Sequence, residues 1–374
     1  MRAVAVFPDE RQIRLVDHPE PHIVSSSQLK VRVLEVGLCG TDREIASFRY
    51  GTPPEDSPYL VIGHESLAEV VETGSSVHRI RPGDLVVPTV RRPCRRPECR
   101  ACRMGRPDFC QSGEFVQRGI RGAHGYMADL VVDDVRYMNP VSRELRDVAV
   151  LAQPLSVAEQ ALAQLEDVQR RLPWAQLASE AGSGRDGDRR AVVLGSGPVG
   201  ILGGLALQIR GYRTTVFSAE ARGRKSEVAE SLGLAYASGK ETTFAELARR
   251  LGGVDVIYEA TGAGALAFEA MRSLGPNGVF IFTGIPGRRT PVHGELADIM
   301  PGVIMKNQVV FGTVNPGAEA YRAAVQDLAV FARRWPMALP SLVSGRYPLA
   351  EAAGVLSRKG QGIKEVMVLA EPRS

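Results

Sequence analysis

Four of the five cysteines fall between Cys94 and Cys110, spaced Cys94-x4-Cys99-x2-Cys102-x7-Cys110, close enough for four thiolates to close around one tetrahedral zinc. An odd count of cysteines with this clustering favours metal ligation over a disulfide framework. A zinc held by four thiolates carries a net negative charge, and Arg91, Arg92, Arg95, Arg96, Arg100, Arg103 and Arg106 flank the site in sequence and could offset it. The fifth cysteine opens Cys39-Gly40-Thr41-Asp42, and Gly63-His64-Glu65 follows further along. A thiolate, an imidazole and a carboxylate are then available as ligands. A catalytic zinc needs three protein ligands and an open position, where a substrate hydroxyl binds and loses its proton more readily.

A different chemistry is written at Gly195-Ser196-Gly197-Pro198-Val199-Gly200, which follows the apolar run AVVL and opens the helical run ILGGLALQI. Glycines there permit a tight turn and let the backbone approach a pyrophosphate, whose charge the helix N-terminus stabilises.

The elements that must position these residues are of two kinds. Over 29–37, 67–72 and 84–90 short β-rich runs alternate with Gly, Pro and Ser, the pattern of an irregular all-β domain. From Asp147 to about Arg171 the apolar residues Leu151, Leu155, Ala158, Leu162 and Leu165 recur at helical spacing, which predicts a connecting helix ending at Pro173. Residues 178–190 are small and polar and read as a surface loop. Beyond them AVVLGSGPVG, TTVFS, VDVIYEATG, GVFIFTGIPG and QVVFGTVN alternate with helix-like stretches, the signature of a doubly wound parallel sheet. After Asn315 further helix and strand signals run to IKEVMVLA and fit a return to the first domain. The expected division is therefore 1–155, 156–315 with the connecting helix and loop, and 316–374.

The chain has 374 residues, 44% hydrophobic and 24% charged, long enough for two cores and near the globular average. Its 46 Lys and Arg nearly balance 42 Asp and Glu, so the net charge of +4 implies neither a nucleic acid nor another polyanion as partner. The N-terminal MRAVAVFPDERQ lacks the apolar core of a signal peptide, and no apolar run reaches the roughly 18 residues of a bilayer span. A cytoplasmic location without membrane contact is expected.

Taken together, the three constellations make the chain similar to the medium-chain zinc-dependent alcohol dehydrogenases, in which a GroES-like β domain carries the metals and a Rossmann domain carries NAD or NADP. Their G-H-E signature runs here as Gly63-His64-Glu65, then Gly74 and Val77, with Ala68 where a glycine is usual. The resemblance covers essentially the whole chain. It implies an α/β fold, with Cys39 at a catalytic zinc and Cys94, Cys99, Cys102 and Cys110 at a structural one. In relatives the structural lobe usually begins C-x2-C-x2-C, whereas here it begins C-x4-C. Many relatives also use a late cysteine as catalytic ligand where this chain has Leu151-Ala152-Gln153-Pro154-Leu155. A Gln or Glu before Pro marks the glucose 1-dehydrogenase branch, which Gly113-Glu114-Phe115, Gly119-Ile120, Gly122-Ala123-His124-Gly125-Tyr126-Met127 and Val314-Asn315 also resemble.

Carried over by position, the resemblance implies Cys39, His64 and Glu65 at the catalytic metal, with Gln153 as a further ligand or a substrate contact. It also implies Thr41, Glu114 and Asn315 on sugar hydroxyls. Zn²⁺ with one thiolate and one carboxylate is neutral, which leaves it able to polarise an alcohol. Cofactor contacts would come from Gly195 to Gly200, Ser218, Glu220, Arg222, Thr283, Gly284, Ile285, Thr313, Val314, Asn315 and Lys364. The implied reaction is oxidation of the C1 hydroxyl of D-glucose or a close aldose to the aldonolactone, with hydride passed to NAD(P)+ and a proton leaving through Thr41 or water. His124 is a candidate relay or a structural hydrogen-bonding group. Some relatives carry an acid where this chain has Val157, so one sugar contact is absent or supplied elsewhere. Dimers or tetramers are expected, because relatives form them.

Cofactor choice turns on the end of the second Rossmann strand, where a carboxylate holds the ribose hydroxyls and repels a 2′-phosphate. If that strand ends at Ser218, no acid sits there, and Arg222, Arg224 or Lys225 could meet the phosphate. If the turn at Gly211-Tyr212-Arg213 is long, Glu220 reaches the ribose. The sequence leans to NAD, with dual use open. The alternatives are a dehydrogenase of another polyol, cyclitol or amino sugar on the same scaffold and, more remotely, a zinc-containing nucleic-acid-binding sensor.

Overall fold

The computed structural model describes residues 1–174, 189–287, 291–292 and 296–371. Most of the loop expected over 178–190 lies outside the described residues. The chain divides into two compact units.

The first comprises Met1–Gln153, Pro316–Pro336 and Pro340–Ser374. Its main sheet runs in the order Met138–Val141, Leu85–Pro88, Glu65–Thr73, Gln28–Leu38, Lys364–Val368 and Val343–Pro348, with Leu130–Asp134 also on Gln28–Leu38. The strands expected over 29–37, 67–72 and 84–90 are therefore present, with slightly different ends. The register is what matters for chemistry. Gln28–Leu38 runs antiparallel to both Glu65–Thr73 and Lys364–Val368, pairing Gly37 with Glu65 and Leu38 with Glu365. The end of one strand thus meets the starts of two others, and Cys39, Glu65 and Lys364 gather at one sheet end.

A short sheet of Arg91–Arg92, Val116–Arg118 and Gly122–Ala123 brackets the cysteine-rich segment. Within that segment the helix Arg100–Arg103 and the 3-10 turn Pro107–Phe109 fold the chain back on itself.

The second unit comprises Pro154–Asn315 and Met337–Leu339. Six parallel strands lie in the order Ala235–Ser238, Arg213–Ser218, Arg190–Leu194, Val254–Glu259, Leu274–Phe282 and Val309–Gly312. In chain order this is 3-2-1-4-5-6, the doubly wound arrangement with its switch point beside the first strand. The strands are near-continuous apolar runs because helices cover both faces of a parallel sheet. Val192, Leu194, Phe217, Ile257 and Phe280 form a core with Phe244, Leu247 and Ala270 of the helices.

The helix expected over Asp147 to about Arg171 is observed as Ala149–Leu151 in 3-10 form and then Ala152–Gln169. Pro154 sits in the first turn, where a missing N–H leaves no helical bond unmade. Among the described residues no helix is long and apolar enough to cross a membrane.

Candidate active site

Cys39 leaves its strand and caps the helix Gly40–Ala46. Its Sγ accepts from Thr41 N at 3.2 Å, while its own N–H donates to Asp42 Oδ2 at 2.9 Å. The Gly63 turn at φ +91 delivers His64 into the same space, with Nε2 3.2 Å from Cys39 Sγ. The donor atoms of Cys39, His64 and Glu65 all lie within 4.8 Å of one another. Asp42, fully buried, sets its Oδ1 3.3 Å from His64 Nδ1. Lys364, also fully buried, donates to Glu65 Oε2 and to the Leu38 carbonyl at 3.1 Å.

The electrostatics of this pocket favour a cation. Burial disfavours a charged imidazole at His64, yet Cys39 and the Asp42 carboxylate outweigh it and raise the His64 pKa well above the usual value. Burial likewise opposes ionisation of Asp42, but His64 and the Cys39 N–H hold its carboxyl below the ordinary range. Thiolate, imidazole and carboxylate are a donor set that suits zinc, with Asp42 orienting the imidazole from behind. Gly37 leaves room for the Glu65 carboxylate, since a Cβ there would press on Glu65 Oε2 and make it shift.

Cys94, Cys99, Cys102 and Cys110 form a second group within 4.8 Å, with Cys99 Sγ and Cys110 Sγ 3.9 Å apart. Backbone N–H groups of Cys102 and Gln111 bring the Cys99 pKa down to about 6, the thiolate state that metal ligation needs. The flanking arginines divide. Arg91 lies 3.5 Å over the Phe115 ring, and burial pulls its pKa to about 10 against the opposing pull of Cys110 and Asp108. Arg92 instead binds Asp133 at 2.5 Å, Arg106 binds Asp108 at 2.7 Å and Arg96 binds Glu114 at 2.6 Å, while Arg95, Arg100 and Arg103 are exposed.

Thr41 is half-buried beside Cys39. Gln153 is buried near the start of Ala152–Gln169. His124 accepts from Val61 N at Nδ1, 3.1 Å away, and stacks on Tyr59 with centroids 5.3 Å apart. His18 lies edge-on to the His124 ring, with centroids 4.9 Å apart.

In the parallel-sheet unit, the end of Arg190–Leu194 turns through Gly195 at φ +111 into the helix Pro198–Ile209, whose N-cap is Gly197. A Cβ on Gly195 would lie 2.7 Å from Thr261 Cγ2, and one on Gly200 would strike the Gly195 carbonyl oxygen. Around Gly197 there is open space. This cradle, bare of side chains at a helix N-terminus, fits a pyrophosphate.

The neighbouring strand ends at Ser218, whose Oγ lies 3.0 Å from Ser196 Oγ. Glu220 stands two residues beyond and is ion-paired to Lys225 at 2.8 Å. Arg222 is engaged by Glu230 at 2.6 Å and by the Tyr236 carbonyl at 2.9 Å. Thr283 donates to the Glu259 carbonyl at 2.7 Å, Ile285 is exposed, and Thr313 Oγ1 accepts from Gln164 at 3.0 Å. Val314 and Asn315 are half-buried in the irregular stretch that follows.

Sequence reasoning missed Glu259. Buried at the end of its strand, it gathers the N–H groups of Thr261 at 2.6 Å and Gly262 at 2.8 Å, and Gly284 at 3.3 Å, joining the two loops beside the glycine turn. An acid ending the apolar run VDVIY was the available signal. Asp42 was missed in the same way. Lys364, expected at the cofactor, has its ammonium on Glu65 and Leu38.

A sheet unit bearing two metal-ligating groups, in one chain with a doubly wound unit bearing a phosphate cradle, defines a metal-dependent oxidoreductase scaffold. Residues 25–143 match the model of the alcohol dehydrogenase GroES-like domain, and residues 146–369 match that of the glucose dehydrogenase C-terminus. The chain is 37% identical over 370 residues to a glucose 1-dehydrogenase of Methanocella arvoryzae, covering 97% of this chain and 98% of that one. It is 37% identical to the Thermoproteus tenax glucose 1-dehydrogenase, covering 88% of each. The glucose dehydrogenase of Haloferax mediterranei, solved with NADP, Zn and gluconolactone, superposes with a TM-score of 0.84 at 28% identity, over 99% of this chain and 100% of that one. The chain belongs to the glucose dehydrogenase branch of the medium-chain zinc-dependent alcohol dehydrogenases.

Proposed function

We propose that the protein oxidises the C1 hydroxyl of D-glucose or a close aldose to the aldonolactone, with a nicotinamide cofactor as hydride acceptor. The observation that carries this is the Cys39, His64 and Glu65 group in a member of the glucose dehydrogenase branch. Cys39, His64 and Glu65, with Gln153 as fourth ligand or substrate contact, would hold a catalytic zinc, and the four cysteines a structural one. Such a zinc supplies Lewis acidity, lowering the pKa of the sugar hydroxyl.

The protein's own groups supply the rest. Asp42 orients His64, Lys364 holds Glu65, and the Thr41 hydroxyl is the group nearest in sequence to Cys39 that can pass a proton on. Glu114, Gln153 and Asn315 would accept from or donate to sugar hydroxyls, which is how a site rejects an analogue lacking one. Residues 1–155 with 316–374 would form the catalytic domain and 156–315 the cofactor domain.

For the cofactor, the strand end at Ser218 supports NADP more than the sequence lean to NAD allowed. Glu220 has its charge offset by Lys225, and Arg224 is exposed at the start of the next helix. Thr283, Gly284, Ile285, Thr313 and Val314 would line the nicotinamide end. Four reduced thiolates as ligands suit a reducing compartment such as the cytoplasm. A homo-oligomer formed through the outer strand of the six-strand sheet is supported by exposed Met300, Ile304, Met305 and Val310 near that edge.

The test is a spectrophotometric screen of aldoses, polyols, cyclitols and amino sugars with each cofactor, alongside metal analysis. An aldose substrate and two zincs per chain are expected. Polyols turned over in preference to every aldose would reject the substrate assignment, and a single zinc would remove one metal site.

A further inference from the structure

The longer spacing between the first two lobe cysteines places two arginines, Arg95 and Arg96, between Cys94 and Cys99. Arg96 does not simply point to solvent. Its Nε donates to Glu114 Oε2 at 2.7 Å and its Nη2 to Oε1 at 2.6 Å, a two-point pair of guanidinium and carboxylate planes. Such forked pairs fix orientation as well as distance.

Both partners are tied back to the thiolate group. The Arg96 carbonyl accepts from Cys99 N at 3.1 Å. Glu114 N donates to Ser112 Oγ at 3.2 Å, and that hydroxyl lies 3.4 Å from Cys110 Sγ. The Gly113 carbonyl between them accepts from Arg121 at 3.1 Å. A half-exposed glutamate on an irregular loop would otherwise sample several rotamers. Here it is held at both ends of one short circuit that runs from Cys99 through Arg96 and Glu114 to Cys110.

We propose that Arg96 is a positioning residue for aldose recognition. It holds the Glu114 carboxylate in one orientation and so makes the four-cysteine lobe part of the sugar-selecting apparatus. An ionised carboxylate has about four acceptor positions. The guanidinium uses two and keeps the group in its acceptor-only form, which leaves two for neighbouring hydroxyls of one sugar. The ligand class is thus a vicinal diol presented by an uncharged aldose. This inference rests on the reading of Glu114 as a substrate contact.

The experiment is a double-mutant cycle on the zinc-loaded enzyme with Arg96→Ala, Arg96→Lys, Glu114→Ala and the double variant. KM for the aldose, kcat, KM for the cofactor and zinc per chain are measured for each. Arg96→Ala is expected to raise the aldose KM roughly two- to fivefold, the scale of a well-formed exposed pair, with kcat, cofactor KM and zinc unchanged. Arg96→Lys, which keeps the charge and loses the fork, is expected to fall between the two. In the Glu114→Ala background, removing Arg96 is expected to change nothing further. An Arg96 effect of equal size with and without Glu114 overturns the proposal, as does loss of zinc from Arg96→Ala, which would make the effect one of lobe folding. If Glu114→Ala itself leaves the aldose KM unchanged, the reading of Glu114 fails, and the proposal falls with it.

Discussion

The Asp42 carboxylate touches no expected substrate atom, yet it faces the one imidazole on which the Cys39, His64 and Glu65 group depends. Its Oδ1 lies 3.3 Å from His64 Nδ1, so it fixes which ring nitrogen faces Cys39. Partners of this kind typically change metal affinity or activity by 10- to 100-fold. Asp42→Asn is expected to lower zinc affinity, measured by chelator competition, and kcat/KM by about that range while the circular dichroism stays that of the parent. Equal zinc retention and equal turnover would show that the contact is incidental. The donor residues were legible because cysteine and a Gly-His-Glu triplet are rare and chemically specific. Asp42 was not, because an acid in a helix's first turn is ordinary sequence. Nor was the Lys364 contact, which joins residues 299 positions apart, a distance no local pattern spans.

Elements were easier to read than their electrostatics. The glycine turn was recognisable because strand, turn and helix each leave a local signature, and Gly195 to Gly200 adopts the expected cradle. Gly200→Ala tests how closely that cradle is built, since the added carbon meets the Gly195 backbone carbonyl rather than a movable side chain. A cost of about 1–3 kcal/mol is expected from such overpacking, read as a lower denaturation midpoint, together with a raised cofactor KM and an unchanged aldose KM. A variant that binds cofactor as the parent does would show that the turn has room to relax. By contrast, Arg222 read as a free phosphate partner because Glu230, which engages it, lies on the following helix. Charge pairing between separate elements is a product of packing, and the linear spacing of arginines does not encode it.

Over the whole molecule, what was legible followed periodicity and what was not followed from pairing at a distance. The alternation of strands and helices gave the parallel sheet, but which strand would be outermost could be seen only in the sheet order. Val309–Gly312 ends that order, and no strand pairs with its outer edge among the described residues. Exposed edges of this kind are pairing surfaces. If the proposed homo-oligomer forms through this edge, Val310→Lys is expected to lower the mass found by light scattering below that of the parent; an unchanged mass would reject this edge as the interface.

Stability should also carry an acid limb set by the His18, Tyr59 and His124 cluster. Burial, with His18 and Arg118 nearby and only Asp56 opposing, pulls the His124 pKa from 6.5 to about 4, and burial lowers that of His18 as well. In the folded chain His124 Nδ1 already accepts the Val61 N–H, so a proton there would set two donors against each other. Between pH 6.5 and about 4 the unfolded chain binds a proton that the folded chain refuses, and by linkage stability falls as pH falls through that window. Above 6.5 the contribution is fully present; below about 4 both states are protonated and this slope ends. His124→Asn keeps an acceptor for Val61 without a titrating ring. Thermal midpoints measured across the window should fall less steeply for this variant than for the parent, and parallel curves would show that His124 does not set the acid limb.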